Sequence, residues 1–152
     1  TLHYQDLLRG DLTEDLDLTC GDFVLKRRDG LYAYQLAVVV DDAACGITEV
    51  VRGTDLLDNT ARQCLLAARL QLPRQTYLHL PLAVSPQGQK LSKQNHAPAL
   101  AAADAGANLW RALELLGQQP PAELQRETPG LIVDWAVSHW RRDAIPLDSQ
   151  PV

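Results

Sequence analysis

Two short apolar segments flank one long amphipathic stretch in the middle of the chain. Residues 77–80 have the length and the apolar, partly aromatic composition of a strand, and residues 47–51 are the apolar segment that precedes the amphipathic stretch. Between them, Thr54 is a suitable helix N-cap, Asp55 suits the positive end of the helix dipole, and apolar residues recur at helical spacing up to Leu72-Pro73. A strand, a helix and a strand in this order predict a βαβ unit, and therefore an α/β fold with a parallel sheet.

The segments on either side give further local predictions. Residues 22–26 have the composition of a strand, and residues 28–30 that of the turn that follows it. Residues 36–40, which read LAVVV, have the composition of a buried strand, although a short buried helix is possible at this length. Beyond residue 98, a helix over 108–116 closed by Gly117 and a second helix starting at Pro129 predict a small helical region.

The composition excludes several classes of protein. With 152 residues the chain is long enough for one domain with a substantial core, and its net charge of −5 argues against non-specific binding of DNA or RNA. A local basic patch still suffices for a tRNA, and residues 26–28 and 141–142 are candidates. No apolar run approaches the roughly 20 residues of a membrane helix.

Cysteines and histidines do not form a recognisable metal pattern. The three cysteines have neither zinc-site nor disulfide spacing, so we predict no metal in this chain and a reducing, cytoplasmic location. His79 also lacks a partner at metal spacing, and we expect it to be a hydrogen-bonded structural histidine.

Two lysines three positions apart, Lys90 and Lys93, stand with Ser92 on a short polar stretch. A loop of this composition offers ammonium groups, a hydroxyl and backbone N–H donors to a polyphosphate. Surface lysines are more often simply solvated, so the pattern alone is a weak indication of a phosphate site. It gains weight from the segments that precede it.

The ordered series of segments resembles the second half of the catalytic domain of class I glutamyl-tRNA synthetases. The resemblance rests on residues 34–42 (YQLAVVVDD), on residues 46–57 (GITEVVRGTDLL), on residues 77–82 and on residues 90–94 (KLSKQ), which are similar to the second signature loop of that class. Residues 27–31 and 90–98 are closer still to the truncated branch of the family, the glutamyl-Q tRNA(Asp) synthetases, which glutamylate the queuosine base of a tRNA.

The resemblance covers essentially the whole chain and implies a fold. This fold is α/β: the second half of a class I synthetase Rossmann-like catalytic domain with a helical C-terminal appendage. Residues 1–30 would end an acceptor-binding insertion, residues 31–97 would form the half-domain with its signature loop at 90–94, and residues 98–152 would form a helical region of the stem-contact type. Over residues 36–40 the resemblance favours a helix, in conflict with the composition, and it favours a strand over residues 47–51.

For ATP, the resemblance implies roles for the lysine loop. Lys93 would stabilise the phosphates while the amino acid is activated, and Lys90 would assist. Ser92 would bond a phosphate or fix the loop, although a simple turn serine explains it equally well.

For glutamate, the resemblance implies three contacts. Arg52, at the end of a predicted strand where ligands of parallel sheets bind, would hold the side-chain carboxylate with its fork of N–H groups. Tyr34 would supply a hydroxyl to the same pocket. Asp55 would meet the α-ammonium group, although its place at a helix start is a strong rival explanation.

The resemblance also implies ligands and partners. The ligands would be L-glutamate, ATP with Mg²⁺ and tRNA(Asp), with no membrane or DNA partner. Relatives often carry zinc, but its ligands have no match here, which leaves the missing N-terminal half as a possible place for it. The histidine-containing first signature has no match either, so we expect this chain to be the C-terminal half of a longer enzyme and to be inactive alone.

Two other functions remain open. The chain would also fit the same region of a discriminating glutamyl-tRNA synthetase, although no anticodon-binding domain follows. It would also fit a non-catalytic half-domain that binds tRNA or a partner, although such a module need not retain Lys90, Lys93, Arg52 and Tyr34 together.

Overall fold

The computed structural model describes residues 1–92 and 99–151. The chain divides into two compact units, Thr1–His79 and Leu80–Val152. The functional regions expected from the resemblance have different limits, after residues 30 and 97, and these limits stay a prediction.

A four-stranded sheet organises the first unit. Its strands are β1 (Leu2–Asp6), β2 (Gly10–Glu14), β3 (Glu49–Gly53) and β4 (Thr76–Leu80), in the order β2-β1-β4-β3. β1 and β2 pair in antiparallel fashion, whereas β1 and β4 are parallel. The strands predicted at 47–51 and 77–80 are confirmed, with ends shifted by at most two residues.

The helices of the first unit are α1 (Leu16–Thr19), α2 (Tyr34–Ala44) and α3 (Leu57–Arg69). α2 contains the LAVVV segment, so the resemblance was right and the strand composition was misleading. α2 packs against α3 and buries Val39, and tertiary packing of this kind overrides the weak helix propensity of valine.

Two local predictions for the first unit are wrong. Thr54 does not cap α3, because a 3₁₀ turn over Thr54–Leu56 precedes the helix and the Thr54 hydroxyl accepts a hydrogen bond from the Arg9 guanidinium at 3.2 Å. Residues 22–26 are not a strand, because only Lys26 finds a bridge partner, Tyr32, across the turn. The turn itself is confirmed: the Gly30 N–H donates to the Arg27 carbonyl at 3.0 Å.

The second unit is built from α4 (Ala105–Leu115), α5 (Pro129–His139) and the parallel pair β5 (Ala83–Val84) and β6 (Gln150–Pro151). The helix starting at Pro129 is confirmed, and so is the end of α4 at Gly117, whose φ is +70°. The core of the second unit contains apolar side chains from both helices and the flanking segments: Val84, Leu113, Ile132 and Ile145.

The core of the first unit is partly polar. Apolar residues such as Tyr4, Ala61 and Tyr77 are joined by four polar side chains that are no more than 2% exposed: Asp6, Thr60, Gln63 and His79. Buried polar groups destabilise a fold unless they are hydrogen-bonded, so this cluster must satisfy itself internally.

Candidate functional site

The buried polar cluster surrounds the guanidinium of Arg52, on β3. Its Nε donates to His79 Nε2 at 3.1 Å, and Nη1 donates to Gln63 Oε1 at 2.8 Å. Nη2 donates to Thr60 Oγ1 at 2.8 Å and to the Leu56 carbonyl at 3.3 Å. These four bonds occupy four of the five N–H groups of an arginine. The guanidinium is therefore fixed in one orientation.

An aromatic face adds to this fixation. The Arg52 Cζ lies 5.3 Å from the centroid of the Tyr77 ring, within the range of a cation–π contact. Tyr77 and His79 are two positions apart on β4, so their side chains lie on the same face of the strand. Their rings are stacked with centroids 6.0 Å apart. The arginine is thus held by β4 on one side and by α3 on the other.

His79, on β4, links Arg52 on β3 to Asp6 on β1. Its Nδ1 lies 2.6 Å from Asp6 Oδ2, and both side chains are fully buried. Because Arg52 Nε always carries a proton, His79 Nε2 must be the acceptor, and the ring proton must therefore be on Nδ1. Burial lowers the pKa of His79, the hydrogen bond to Asp6 opposes that shift, and the charge of Arg52 adds to it. The imidazole is accordingly neutral.

Asp6 uses both carboxylate oxygens as acceptors. Oδ1 accepts the backbone N–H groups of Leu8 and Arg9 at 2.9 and 2.8 Å. Oδ2 accepts the backbone N–H of His79 at 3.1 Å, in addition to its imidazole N–H. All of these partners are donors, so the site requires an ionised carboxylate.

A chain of amides extends from Arg52 to the start of α2. Gln63 Nε2 donates to Gln35 Oε1 at 3.0 Å, and Gln35 in turn donates to Asn59. Gln35 directly follows Tyr34, the first residue of α2, which is 49% exposed. Two side chains, Gln63 and Gln35, thus connect Arg52 through hydrogen bonds to the start of α2, where Tyr34 is half exposed.

The structure places the other predicted residues as follows. Asp55 is exposed in the 3₁₀ turn that directly follows β3 and Arg52. Lys90 lies on the return arm of a hairpin in the second unit, paired in antiparallel fashion with Val84, and Ser92 follows it. Lys93, the lysine expected to act on ATP, lies outside the described residues.

The turn of that hairpin is tightly bonded. The Ser85 carbonyl accepts the Gly88 N–H at 2.8 Å, the Ser85 N–H donates to the Gln89 carbonyl at 2.7 Å, and the Ser85 hydroxyl accepts the N–H groups of Gln87 and Gln89. Lys90 is exposed directly after this turn. Its ammonium group is therefore presented from a defined backbone rather than from a structureless loop.

Neither a metal centre nor a membrane span is found within residues 1–92 and 99–151. No three His, Cys, Asp or Glu side chains of these residues converge as a metal site would require. No helix among them has the length and apolar character needed to cross a bilayer.

Comparison with known proteins identifies the family of this chain. A family model described as "tRNA synthetases class I (E and Q), catalytic domain" matches residues 1–122. The chain therefore belongs to this family of ligases, and the predicted fold class is confirmed.

Individual relatives narrow the comparison. The chain is 51% identical over 144 residues to the glutamyl-Q tRNA(Asp) synthetase of Ectopseudomonas mendocina, covering 95% of this chain and 49% of that protein. It is 50% identical over 146 residues to the protein of the same name from Thiobacillus denitrificans, covering 96% and 48%. The chain thus spans about half the length of the curated relatives it matches.

Solved structures support the fold. The glutamate-tRNA synthetase of Elizabethkingia anophelis superimposes with a TM-score of 0.67 at 23% identity, over 95% of this chain and 32% of that one. A glutamate tRNA ligase from Elizabethkingia meningosepticum, solved in complex with its amino acid, gives 0.68 at 22% identity, over 95% and 32%.

The sequence indicated Arg52 as a candidate site residue, but it did not indicate that Thr60, Gln63 and His79 surround its guanidinium. Thr60 and Gln63 are polar residues on the inner face of an amphipathic helix, which was the only local signal for them. His79 was expected to be hydrogen-bonded, and it is. Asp6 lies 73 residues from His79, and no short-range pattern connects the two.

Proposed function

We propose that the protein containing this chain activates L-glutamate with ATP and transfers it to the queuosine base of tRNA(Asp). The observation that carries the proposal is a permanently charged guanidinium, fixed in orientation at the end of β3, in a chain of this family. A fixed cation suits a substrate that is distinguished from other amino acids by a second carboxylate. The names of the relatives supply the nucleic-acid partner, tRNA(Asp).

Glutamate would bind with its side-chain carboxylate on Arg52. The longest of the four bonds, 3.3 Å to the Leu56 carbonyl, is the one that a carboxylate would displace most easily. Exchange of that carbonyl would release one Nη2 proton, which together with the remaining Nη1 proton would give the paired donors of a bidentate contact. Tyr34 would add its exposed hydroxyl, and Asp55 would attract the α-ammonium group.

ATP would be bound by the lysine loop. Lys90 and Lys93 would bring positive charge to the phosphates and Ser92 a hydroxyl donor, while Mg²⁺ would accompany the phosphates as it does in this class of reaction. The glutamate α-carboxylate oxygen would attack the α-phosphorus, the bond to the bridging oxygen would break, and pyrophosphate would leave. A hydroxyl of the tRNA nucleoside would then attack the acyl carbon and release AMP.

The reaction is tested with the full gene product. Pyrophosphate exchange into ATP should require glutamate, and labelled glutamate should be transferred to tRNA(Asp) that contains queuosine but not to the same tRNA without it. Transfer to the 3′ end of tRNA(Glu) would instead identify a glutamyl-tRNA synthetase. Absence of exchange, with and without tRNA, would favour a non-catalytic half-domain and contradict the proposal.

A further inference from the structure

We propose that Asp6 and His79 are positioning residues that set the orientation of Arg52 for glutamate. This inference rests on the proposed function of Arg52, because it assigns the pair a role in selecting that substrate. Neither side chain is accessible, as both are fully buried, so neither can touch a ligand directly. Their effect must pass through the guanidinium.

The hydrogen bonds from Asp6 to Arg52 have a defined direction. Asp6 accepts the proton on His79 Nδ1, which leaves Nε2 with its lone pair toward Arg52 Nε at 3.1 Å. The Thr60 hydroxyl lies at the same distance, 3.1 Å, from Nε2. A ring protonated on Nε2 would place two N–H donors against each other and push the guanidinium away. The Asp6 carboxylate therefore selects the one tautomer that retains Arg52.

The charges around the imidazole of His79 keep it neutral. Asp6 favours a proton on the ring, whereas burial and the charges of Arg52 and Arg9 disfavour a second one. Tyr77, which stacks on the ring, carries no charge because burial raises the pKa of its hydroxyl. The histidine is thus a neutral, directional acceptor and not a second cation beside the substrate-binding arginine.

The two ring nitrogens of His79 have separate partners, and two substitutions can test them separately. Asparagine at position 79 would place its amide near the position of Nδ1, and could still bond Asp6 but would not reach Arg52. Glutamine would place its carbonyl oxygen near the position of Nε2, and could still accept the Arg52 Nε proton. A positioning role therefore predicts different results for two substitutions of similar polarity, whereas a merely structural role does not.

The experiment compares His79→Asn, His79→Gln and the control His3→Asn in the full gene product. His3 is exposed on β1 and its ring forms a hydrogen bond with the hydroxyl of Thr13 on the neighbouring strand, so its substitution should change neither constant. We expect His79→Asn to raise the KM for glutamate by about 10- to 100-fold, the scale for a misplaced positioning group, with a smaller change in kcat. His79→Gln should keep the KM close to the wild-type value. Equal KM values in the two variants would overturn the proposal.

A second measurement does not depend on activity. Nitrogen NMR of the imidazole should show a neutral His79 protonated on Nδ1, and the Arg52 Nε proton should exchange slowly with solvent in the wild-type protein and in His79→Gln. The same proton should exchange rapidly in His79→Asn. A ring protonated on Nε2, or slow exchange in both variants, would overturn the inference even if glutamate activation is absent. Activity without any effect of His79→Asn would overturn it while leaving the proposed function intact.

Discussion

An arginine guanidinium carries five N–H donors and does not lose its proton, so each N–H that points into a protein needs an acceptor. In this chain the acceptors come from two elements: Thr60, Gln63 and the Leu56 carbonyl from α3 and the turn before it, and His79 from β4. Removing the arginine would therefore leave several buried acceptors without a donor. Under the proposed function, stability and substrate selection are therefore coupled at this one residue.

Substitution of Arg52 tests that coupling. Arg52→Ala should weaken glutamate binding by about 2–5 kcal/mol, the cost of removing one partner from a desolvated charge pair. Arg52→Lys should also bind poorly, because an ammonium group cannot reproduce the fork. Steady-state measurements of the KM for glutamate and for ATP separate the two sites, since only the former should rise.

Arg69→Ala is a matched control, because Arg69 is an exposed arginine in the last turn of α3, the helix that supplies Thr60 and Gln63 to Arg52. An unchanged KM for glutamate in both Arg52 variants would contradict the assignment of the pocket.

The lowered pKa of His79 predicts how stability depends on pH. In the unfolded chain the imidazole titrates near its ordinary pKa of about 6.5, whereas in the folded protein burial keeps it neutral to lower pH. Its contribution to the free energy of unfolding is complete above pH 6.5. This contribution is lost progressively as the pH falls from there through the folded-state pKa.

Urea denaturation of the wild-type protein and of His79→Gln at a series of pH values measures this contribution. Below about pH 6.5, the free energy of unfolding should fall more steeply with decreasing pH in the wild-type protein than in His79→Gln. Above that pH the two slopes should be equal. A slope that is the same with and without His79 would show that the imidazole does not titrate as its surroundings indicate.

Among single residues, the sequence indicated Arg52 and Tyr34 as candidates, but it did not indicate the buried side chains that hold Arg52 in place. Arg52 and Tyr34 could be named because they lie within an ordered motif. Asp6 could not, because its role depends on the pairing of β1 with β4, which brings together residues 73 positions apart. Short-range patterns carry no information on such a pairing.

Among the elements, those with a strong local signal were found and those decided by packing were not. β4 and the start of α5 follow from composition and from Pro129. α2 has valine-rich composition, and only its packing against α3 makes it a helix. Residues 22–26 have strand composition, but no strand within residues 1–92 and 99–151 pairs with them along their length as a sheet requires.

The end of α4 offers a test at this scale. Gly117 has a φ of +70°, and a Cβ on it would lie 2.2 Å from the Ala144 carbonyl oxygen. Gly117→Ala combines a strained backbone with a clash against backbone, so it should lower the free energy of unfolding by at least about 1–3 kcal/mol. Chemical denaturation followed by tryptophan fluorescence measures the change in the second unit.

Gly130→Ala is the corresponding control in α5. A Cβ there meets nothing within 4 Å, and alanine favours a helix by up to about 1 kcal/mol over glycine. Its stability should be equal to that of the wild-type protein or slightly higher. Equal losses in the two variants would mean that the contact with Ala144 has no energetic role.

For the molecule as a whole, the relatives' greater length sets an expectation for activity. Residues 1–152 contain the lysine loop and Arg52, and the matched relatives extend over about twice this length. We expect the isolated chain to show no glutamate-dependent pyrophosphate exchange, while the full gene product does. β3 lies at one end of the described sheet and Val51 on it is 55% exposed, so the isolated chain should also self-associate.

Light scattering and pyrophosphate exchange on the two proteins, side by side, measure both effects. The full gene product serves as the positive control for the assay. A monomeric preparation of residues 1–152 with glutamate-dependent exchange would contradict the expectation on both counts.

The bond between Asp6 and His79 also has a consequence for the order of folding. It closes a loop of 73 residues, and contacts of such long range form late because chain entropy opposes them until other structure has shortened the path. Hairpin β1–β2 and the α2–α3 pair can form earlier from more local contacts, but the correct histidine tautomer exists only after β1 has joined β4. During synthesis on the ribosome, the arginine would therefore acquire its final orientation only after β4 has emerged. Under the proposed function, a nascent chain would thus not bind glutamate before its first unit is complete.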